Sequence, residues 1–305
     1  RSPLLTGYST SLQNIGKVNN RGWELALTSQ HTFANGFGYS FNANYAKNTN
    51  EVKELGPGNA PIISTGSVGH AFYKTEVGKP IGNYYLLVQD GIFATAEDLK
   101  KYPHFDNTEV GDFRFVDVDG DGKLDLDKDR TICGNYMPKF TYGFGGKLWY
   151  AGFDMDFNFQ GVYGNKILNL NKRYLDNMEG NTNGTKIALD RWRSPENPGS
   201  GSVNKANRKQ TGYNSRTSTW HLESGSYLRL QNLSLGYTLP RALTQKFKVE
   251  KLRVYVSGQN LFTITNYSGY NPEVNARPSK NLTPGEDYGT YPLARTYMFG
   301  LNLTL

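Results

Sequence analysis

Apolar and polar residues alternate with period two along several stretches of this chain, the pattern of β-strands with two different faces. Over 20–31, Trp23, Leu25 and Leu27 point one way, and Glu24, Ala26 and Thr28 the other. Over 37–47, Phe37, Tyr39, Phe41, Ala43 and Tyr45 oppose Gly38, Ser40, Asn42 and Asn44. Over 153–160, Phe153, Met155, Phe157 and Phe159 oppose Asp154, Asp156, Asn158 and Gln160. Further strands are predicted at 140–150, 227–239, 251–263 and 295–305; in the last, Tyr297, Phe299, Leu301, Leu303 and Leu305 share a face. In 227–239 the phase slips between Leu228/Leu230 and Leu233/Leu235/Tyr237, which predicts a β-bulge.

These strands exceed the ~5–6 residues usual in soluble sheets and match the ~9–11 of a membrane-crossing strand. Their connections alternate in length. Tight turns are predicted at Asn35-Gly36 and Ala151-Gly152, and a modest link opened by Pro240 covers 240–250, whereas 48–139, 164–226 and 264–294 are very long. Short turns on one side and long loops on the other are the topology of an outer-membrane barrel. Parity then puts all of 48–139, including the strand-like 83–93, in one external loop. The expected count is seven crossings, which cannot close a bacterial barrel of even strand number; the reading is therefore of a larger barrel lacking its N-terminal part. Trp149, Tyr150 and Tyr237 lie near short turns, where an interfacial aromatic girdle is expected.

Composition agrees with an all-β chain. Gly (34), Tyr (21) and Phe (16) are abundant among the 305 residues, and mean hydropathy is −0.60. No apolar run approaches the ~18 residues of a spanning helix. A single cysteine, Cys133, excludes a disulfide scaffold or a multi-cysteine metal site. The start, Arg1-Ser-Pro-Leu-Leu, has no signal-peptide pattern. The net charge of +7 hides a stretch, 106–130, with nine acids and four bases; that stretch is −5, so the rest is +12. The other bases are scattered, and no nucleic-acid partner is expected.

Four stretches carry a family resemblance. They are Asn14-Ile-Gly-Lys-Val-Asn-Asn-Arg-Gly-Trp-Glu-Leu; Val77-Gly-Lys-Pro-Ile-Gly-Asn-Tyr-Tyr with Asp90-Gly-Ile-Phe; Gly111-Asp-Phe-Arg-Phe-Val-Asp-Val-Asp-Gly-Asp-Gly-Lys-Leu-Asp; and Tyr227-Leu-Arg-Leu-Gln-Asn-Leu-Ser-Leu-Gly-Tyr-Thr-Leu-Pro. Val254-Tyr-Val-Ser-Gly-Gln-Asn-Leu-Phe and Pro272-Glu273 add to them. Together, across the whole chain, they resemble SusC/RagA-type TonB-dependent outer-membrane transporters. The resemblance implies that 1–305 is the C-terminal section of a 22-stranded antiparallel transmembrane β-barrel with long extracellular loops, in the outer membrane of a Gram-negative bacterium. It implies import of oligosaccharides or peptides, with a SusD-like surface lipoprotein as lid. Coupling to the TonB complex would run through an N-terminal region and plug domain that this sequence does not contain. The chain departs from the family in ending on Leu305 instead of an aromatic residue.

The acidic stretch 111–130 is the candidate cation-binding loop. Asp117-Val-Asp119-Gly-Asp121-Gly122-Lys123-Leu-Asp125 matches the first nine positions of an EF-hand loop. Ca²⁺ takes six to eight oxygens, and carboxylates two residues apart converge only where the chain turns sharply, as Gly122 permits. Asp117, Asp119, Asp121, the Lys123 carbonyl and Asp125 are the expected ligands, for Ca²⁺ first and Mg²⁺ second. Position twelve is Lys128, so closure falls to Asp127 or Asp129; the resemblance favours Asp129, because Arg130-Thr131-Ile132 follows it.

No catalytic constellation emerges. The four histidines (His31, His70, His104, His221) lack ligand spacing, and neither G-x-S-x-G nor a P-loop occurs. Glu24, Asp154 and Asp156 read as lumen-lining groups, and Cys133 as a packed residue. Trp192, Tyr213, Trp220 and Tyr270, in the long loops, are candidates for stacking on a sugar or peptide, with loop packing as the alternative. The competing function is a secreted soluble β-protein binding calcium and glycans.

Overall fold

A computed structural model describes residues 16–68, 70–180, 182–209 and 212–305. Arg1–Leu5, and Asn14 and Ile15 of the first family-like stretch, lie outside them. Seven long strands form one sheet: β1 (Lys17–Thr32), β2 (Gly38–Glu54), β3 (Phe140–Tyr150), β4 (Phe153–Tyr163), β5 (Tyr227–Thr238), β6 (Lys251–Thr265) and β7 (Thr296–Thr304). They pair in chain order, each antiparallel to the next, so the sheet is open and has two edges. All seven predicted strands are present. β1 and β2 run on beyond the wall, pairing from Thr32↔Gly38 up to Lys17↔Glu54, where Val52 is buried and the Asn50 side chain accepts the Ile81 N–H of the following loop at 2.8 Å.

The turns explain the register. Ala151 and Gly152 both have positive φ (49° and 87°), as a two-residue type I′ hairpin requires. Gly36 (φ 85°) closes the β1–β2 turn, where the Asn35 side chain accepts from the Phe37 N–H at 3.0 Å. The predicted bulge sits at Gln231. Pairing with β4 passes from Asn232↔Asn158 to Leu230↔Phe159, leaving Gln231 unpaired. That extra residue is why Leu228 and Leu230 share a face with Leu233, Leu235 and Tyr237.

One face is apolar across the whole sheet. The registers chain Ser29↔Phe41↔Gly146↔Phe157↔Leu233, and Leu148↔Met155↔Leu235↔Val256↔Phe299, into continuous rows. The opposite face carries rows such as Thr28↔Asn42↔Gly145↔Asn158↔Asn232, with Asp154 paired to Arg253 at 2.6 Å. The apolar face is not covered by protein: Leu27 (58% exposed), Phe153 (64%), Phe299 (85%) and Leu301 (71%) stand open. A soluble sandwich or barrel would bury that face, so the soluble alternative does not describe this fold.

Two aromatic bands flank the apolar surface. On the short-turn side lie Phe37, Tyr150, Phe153 and Tyr237, with Phe153 and Tyr237 rings 4.5 Å apart. On the loop side Trp23, Tyr45, Phe140 and Tyr163 follow one another at 4.9, 5.1 and 4.9 Å. Phe140 and Tyr150 end an 11-residue strand. At ~3.4 Å per residue and a ~40° tilt their separation projects to about 25 Å, the height of an outer-membrane apolar band. The girdle expectation needs one correction. Trp149 lies on the polar face, over Gly38, where a Cβ would come within 2.2 Å of the indole. Neighbours on a strand point opposite ways, so Trp149 and Tyr150 cannot both meet lipid.

The large buried clusters lie in the long connections, although Tyr227 and Leu230 at the loop end of β5 are buried too. Ala71, Tyr73, Tyr84, Leu86, Leu168 and Leu170 form one cluster, and Leu87, Ile92, Phe105, Phe113 and Phe115 a second. Loop strands knit the second and third connections, Lys166–Asn169 pairing antiparallel with Leu222–Ser224 and parallel with Glu286–Asp287, and the Tyr84 hydroxyl of the first connection reaches the Lys166 and Gly285 carbonyls at 3.0 Å. Segment 83–93 supplies two loop strands, Asn83–Leu87 and Gln89–Ile92, as parity required. No helix among the described residues is long and apolar enough to cross a membrane.

Candidate functional site

The acidic loop leaves a short strand, Phe113–Phe115, and re-enters structure at Arg130–Ile132. Between them Gly120 (φ 73°) and Gly122 (φ 81°) turn the chain back on itself. Asp117 accepts the N–H of Gly120 at 2.7 Å and of Gly122 at 2.8 Å. Asp129 is fully buried and accepts from Val118 (2.8 Å) and Asp125 (2.6 Å). Carboxylate oxygens of Asp117, Asp119 and Asp129 come within 4.8 Å of one another, a set of hard donors suited to a divalent cation.

The other expected ligands are not in that group. Asp121 accepts from the Lys123 N–H at 2.9 Å and lies 3.6 Å from the Lys128 ammonium. Asp125 caps the next turn through the N–H groups of Asp127 and Lys128, which hold its carboxyl below the usual range. Lys123 is exposed. Between the two closing candidates, Asp129 joins the cluster, while Asp127 is turned outward to Arg130 at 3.0 Å.

The aromatic candidates divide. Trp192 lies over Gly111 (φ 91°), donating its indole N–H to the Ala94 carbonyl at 3.3 Å. Tyr213 stacks on Phe105 with centroids 4.0 Å apart, and Trp220 packs on Phe113 at 5.1 Å under the Lys172 ammonium. All three therefore pack against the second loop core. Tyr270 is 78% exposed, beside Arg229, Thr263 and Arg295 at the loop end of the wall.

Several buried polar groups organise these loops without having a local sequence sign. Glu286 is fully buried and binds Ser67 and Tyr73, more than 200 residues away. Burial, the neighbouring Tyr84 and Glu286 raise the Tyr73 phenol above its ordinary range. Asn214 bridges Asp112 (2.9 Å) and Glu179 (3.1 Å), and burial pushes the Glu179 carboxyl up. His221 is fully buried, so its imidazole is lowered to about 3, with Lys172 and Arg173 acting in the same sense. Glu273 receives Tyr227 and Arg229, and Arg229 also donates to Asn271 at 2.8 Å. This last cluster had a sign: Tyr227-Leu-Arg and Pro272-Glu273 are both family-like stretches, and they meet here. The Cys133 thiol is half-buried and raised by burial, consistent with packing.

No protein-family model matches the chain. Over 99% of its length it is 34% identical to TonB-dependent receptor P3 of Formosa agariphila and covers 30% of that protein. It is 26% identical to TonB-dependent receptor SusC of Bacteroides thetaiotaomicron, again over 99% of the chain and 28% of the relative. The solved RagAB peptide importer in its "open-open" state superposes with a TM-score of 0.75 at 23% identity, over 100% of this chain and 30% of that one. The chain thus spans about a third of the length of the curated relatives it matches. In sequence the whole chain matches a section of TonB-dependent receptors, SusC among them, and in fold it matches the corresponding section of RagA; these are outer-membrane β-barrel proteins of Gram-negative bacteria.

Proposed function

We propose that this section forms wall and outer loops of an active importer of oligosaccharides or peptides, working with a SusD-like lipoprotein and energised through TonB. The observation that carries the proposal is similarity along essentially the whole chain to proteins named TonB-dependent receptors, SusC among them, on a wall with one lipid-facing and one polar side. The RagAB structures are named as a peptide transporter and importer, which keeps peptides beside oligosaccharides as cargo. Uptake of labelled oligosaccharide and peptide mixtures by cells with and without the intact receptor tests it. Receptor-dependent accumulation that collapses when the inner membrane is de-energised is expected; accumulation unaffected by either change refutes it.

Within that role the acidic loop binds one Ca²⁺, with Mg²⁺ as second choice, and the ion pins the loop. The convergence of Asp117, Asp119 and Asp129 supports this, with Asp121, Asp125 and the Lys123 carbonyl available once the turn adjusts. Exposed Tyr270 is the aromatic best placed to meet cargo or lid. Calcium titration of the intact receptor, followed by hydrogen exchange of 111–132, tests the ion. Calcium should slow exchange in the parent and in Asp127→Asn but not in Asp129→Asn. A loop indifferent to calcium refutes it.

A further inference from the structure

Of the three short connections, two are neutral: Phe33-Ala-Asn-Gly-Phe37 and Ala151-Gly152. The third, 240–250, differs. It folds as a helical run, Arg241–Thr244 continued by Gln245–Phe247, before Lys248 turns it back with a positive φ of 57°. It carries Arg241, Lys246 and Lys248 against Glu250 alone, a net +2. All three bases are exposed, and none forms an ion pair among the described residues. The same run exposes two large apolar side chains, Leu243 (50%) and Phe247 (79%), about one turn apart. Exposed apolar groups interleaved with unpaired cations are the make-up of a segment lying in a membrane interface.

The surroundings agree. Leu239 and Leu252 extend the lipid-facing rows of β5 and β6 into the link, joined by a 2.9 Å backbone bond. Next to them the apolar face is dished into a depression of about 990 Å³, lined by Tyr150, Phe153, Leu235, Tyr237, Val254 and Leu301. The link therefore continues a lipid-facing surface at the short-turn rim, the periplasmic side of such a barrel. At that depth side chains of this kind bury their stems and place their charges among headgroups.

We propose that the 240–250 link is an anionic-phospholipid site in the inner leaflet: Leu243 and Phe247 enter the acyl boundary, and Arg241, Lys246 and Lys248 hold the phosphate-bearing headgroup. Charge complementarity and continuity with the lipid-facing wall select this occupant. The inference rests on the wall meeting lipid and not on what the receptor imports. Each base near an anionic surface is worth about a fivefold local enrichment.

The test places a bimane label at Phe247→Cys, on a Cys133→Ser background, in the intact receptor reconstituted in phosphatidylcholine. Phosphatidylglycerol brominated on its acyl chains, at one-fifth of the lipid, should quench the label about fivefold more than the same fraction of brominated phosphatidylcholine. The excess should vanish in Arg241→Gln/Lys246→Gln/Lys248→Gln and persist in Arg241→Lys/Lys246→Arg/Lys248→Arg. A second label at Phe157→Cys, on the wall, should be quenched equally by both lipids. Equal quenching at 247 by the two lipids, or an excess that survives loss of the three charges, overturns the proposal. So does absence of quenching by either lipid, which is what a link docked against protein would give.

Discussion

Glu286 offers the sharpest test of how the outer loops hold together. It is fully buried, and one oxygen accepts from the Tyr73 hydroxyl at 3.0 Å while the other accepts from the Ser67 N–H at 3.0 Å and the Ser67 hydroxyl at 2.5 Å. Through these contacts the loop before β7 is tied to the loop after β2. Replacing Glu286 by Ala strands the Tyr73 hydroxyl in a fully buried position, at ~1–3 kcal/mol. It also removes charge-assisted bonds to Ser67, another ~1.5–3 kcal/mol; Ser67 is exposed and recovers part of this from water. The net loss is on the order of 3 kcal/mol, equivalent to roughly 150-fold faster opening of the tied segments. Hydrogen exchange by mass spectrometry on the intact receptor reads this directly. Peptides covering 62–75 and 276–290 should exchange faster by that order in Glu286→Ala and by less in Glu286→Gln, while 153–163 in the wall is unchanged. Unaltered exchange in the two loop segments, or equal acceleration in the wall, would refute the reasoning.

Two further predictions concern the loop and the wall. Burial lowers His221 to about 3 from an unfolded value of 6.5, so the unfolded state binds more protons between those pH values. The local stability of 213–224 is then complete above about pH 6.5 and is lost as pH falls toward 3, by at most ~1.4 kcal/mol per unit; protection of that segment, corrected for the intrinsic pH dependence of amide exchange, should be lower at pH 4.5 than at pH 7, and His221→Phe should remove that difference. In β4, a Cβ at Gly161 would sit 2.2 Å from the Tyr142 ring, so Gly161→Ala should cost ~1–3 kcal/mol in urea unfolding of the vesicle-inserted barrel. Stability within ~0.5 kcal/mol of the parent would contradict that packing.

The wall was legible because a single-layer sheet between lipid and a polar lumen imposes period two on every residue that crosses it. Phe153 to Gln160 shows this without interruption, and the slip after Leu230 located the bulge to within a residue. The same parity, pressed further, would have put Trp149 on the polar face. The loops obey no such period. Their order comes from contacts between distant segments: Glu286 meets Ser67 and Tyr73, and Asn214 meets Asp112 and Glu179. A lone Glu in Gly285-Glu-Asp287 gives no local hint of that role. Residue type also leaves Trp192, Tyr213 and Trp220 ambiguous, since an aromatic ring that suits a ligand suits a loop core equally well. In the acidic loop, spacing picked out the turn with Asp117 and Asp119, while the preference for Asp129 over Asp127 came from the family resemblance and not from spacing. Nor did spacing show that Asp121 and Asp125 are drawn into neighbouring turns by backbone N–H groups.

One face of the seven-strand sheet meets lipid and the other an aqueous lumen. Spin labels placed singly from Phe153→Cys to Gln160→Cys, on the Cys133→Ser background of the intact receptor in bilayers, test it most directly. Collision with oxygen, which concentrates in lipid, should peak at 153, 155, 157 and 159. Collision with a water-soluble nickel complex should peak at 154, 156, 158 and 160. Accessibility without period two, or with the two phases exchanged, would contradict the account.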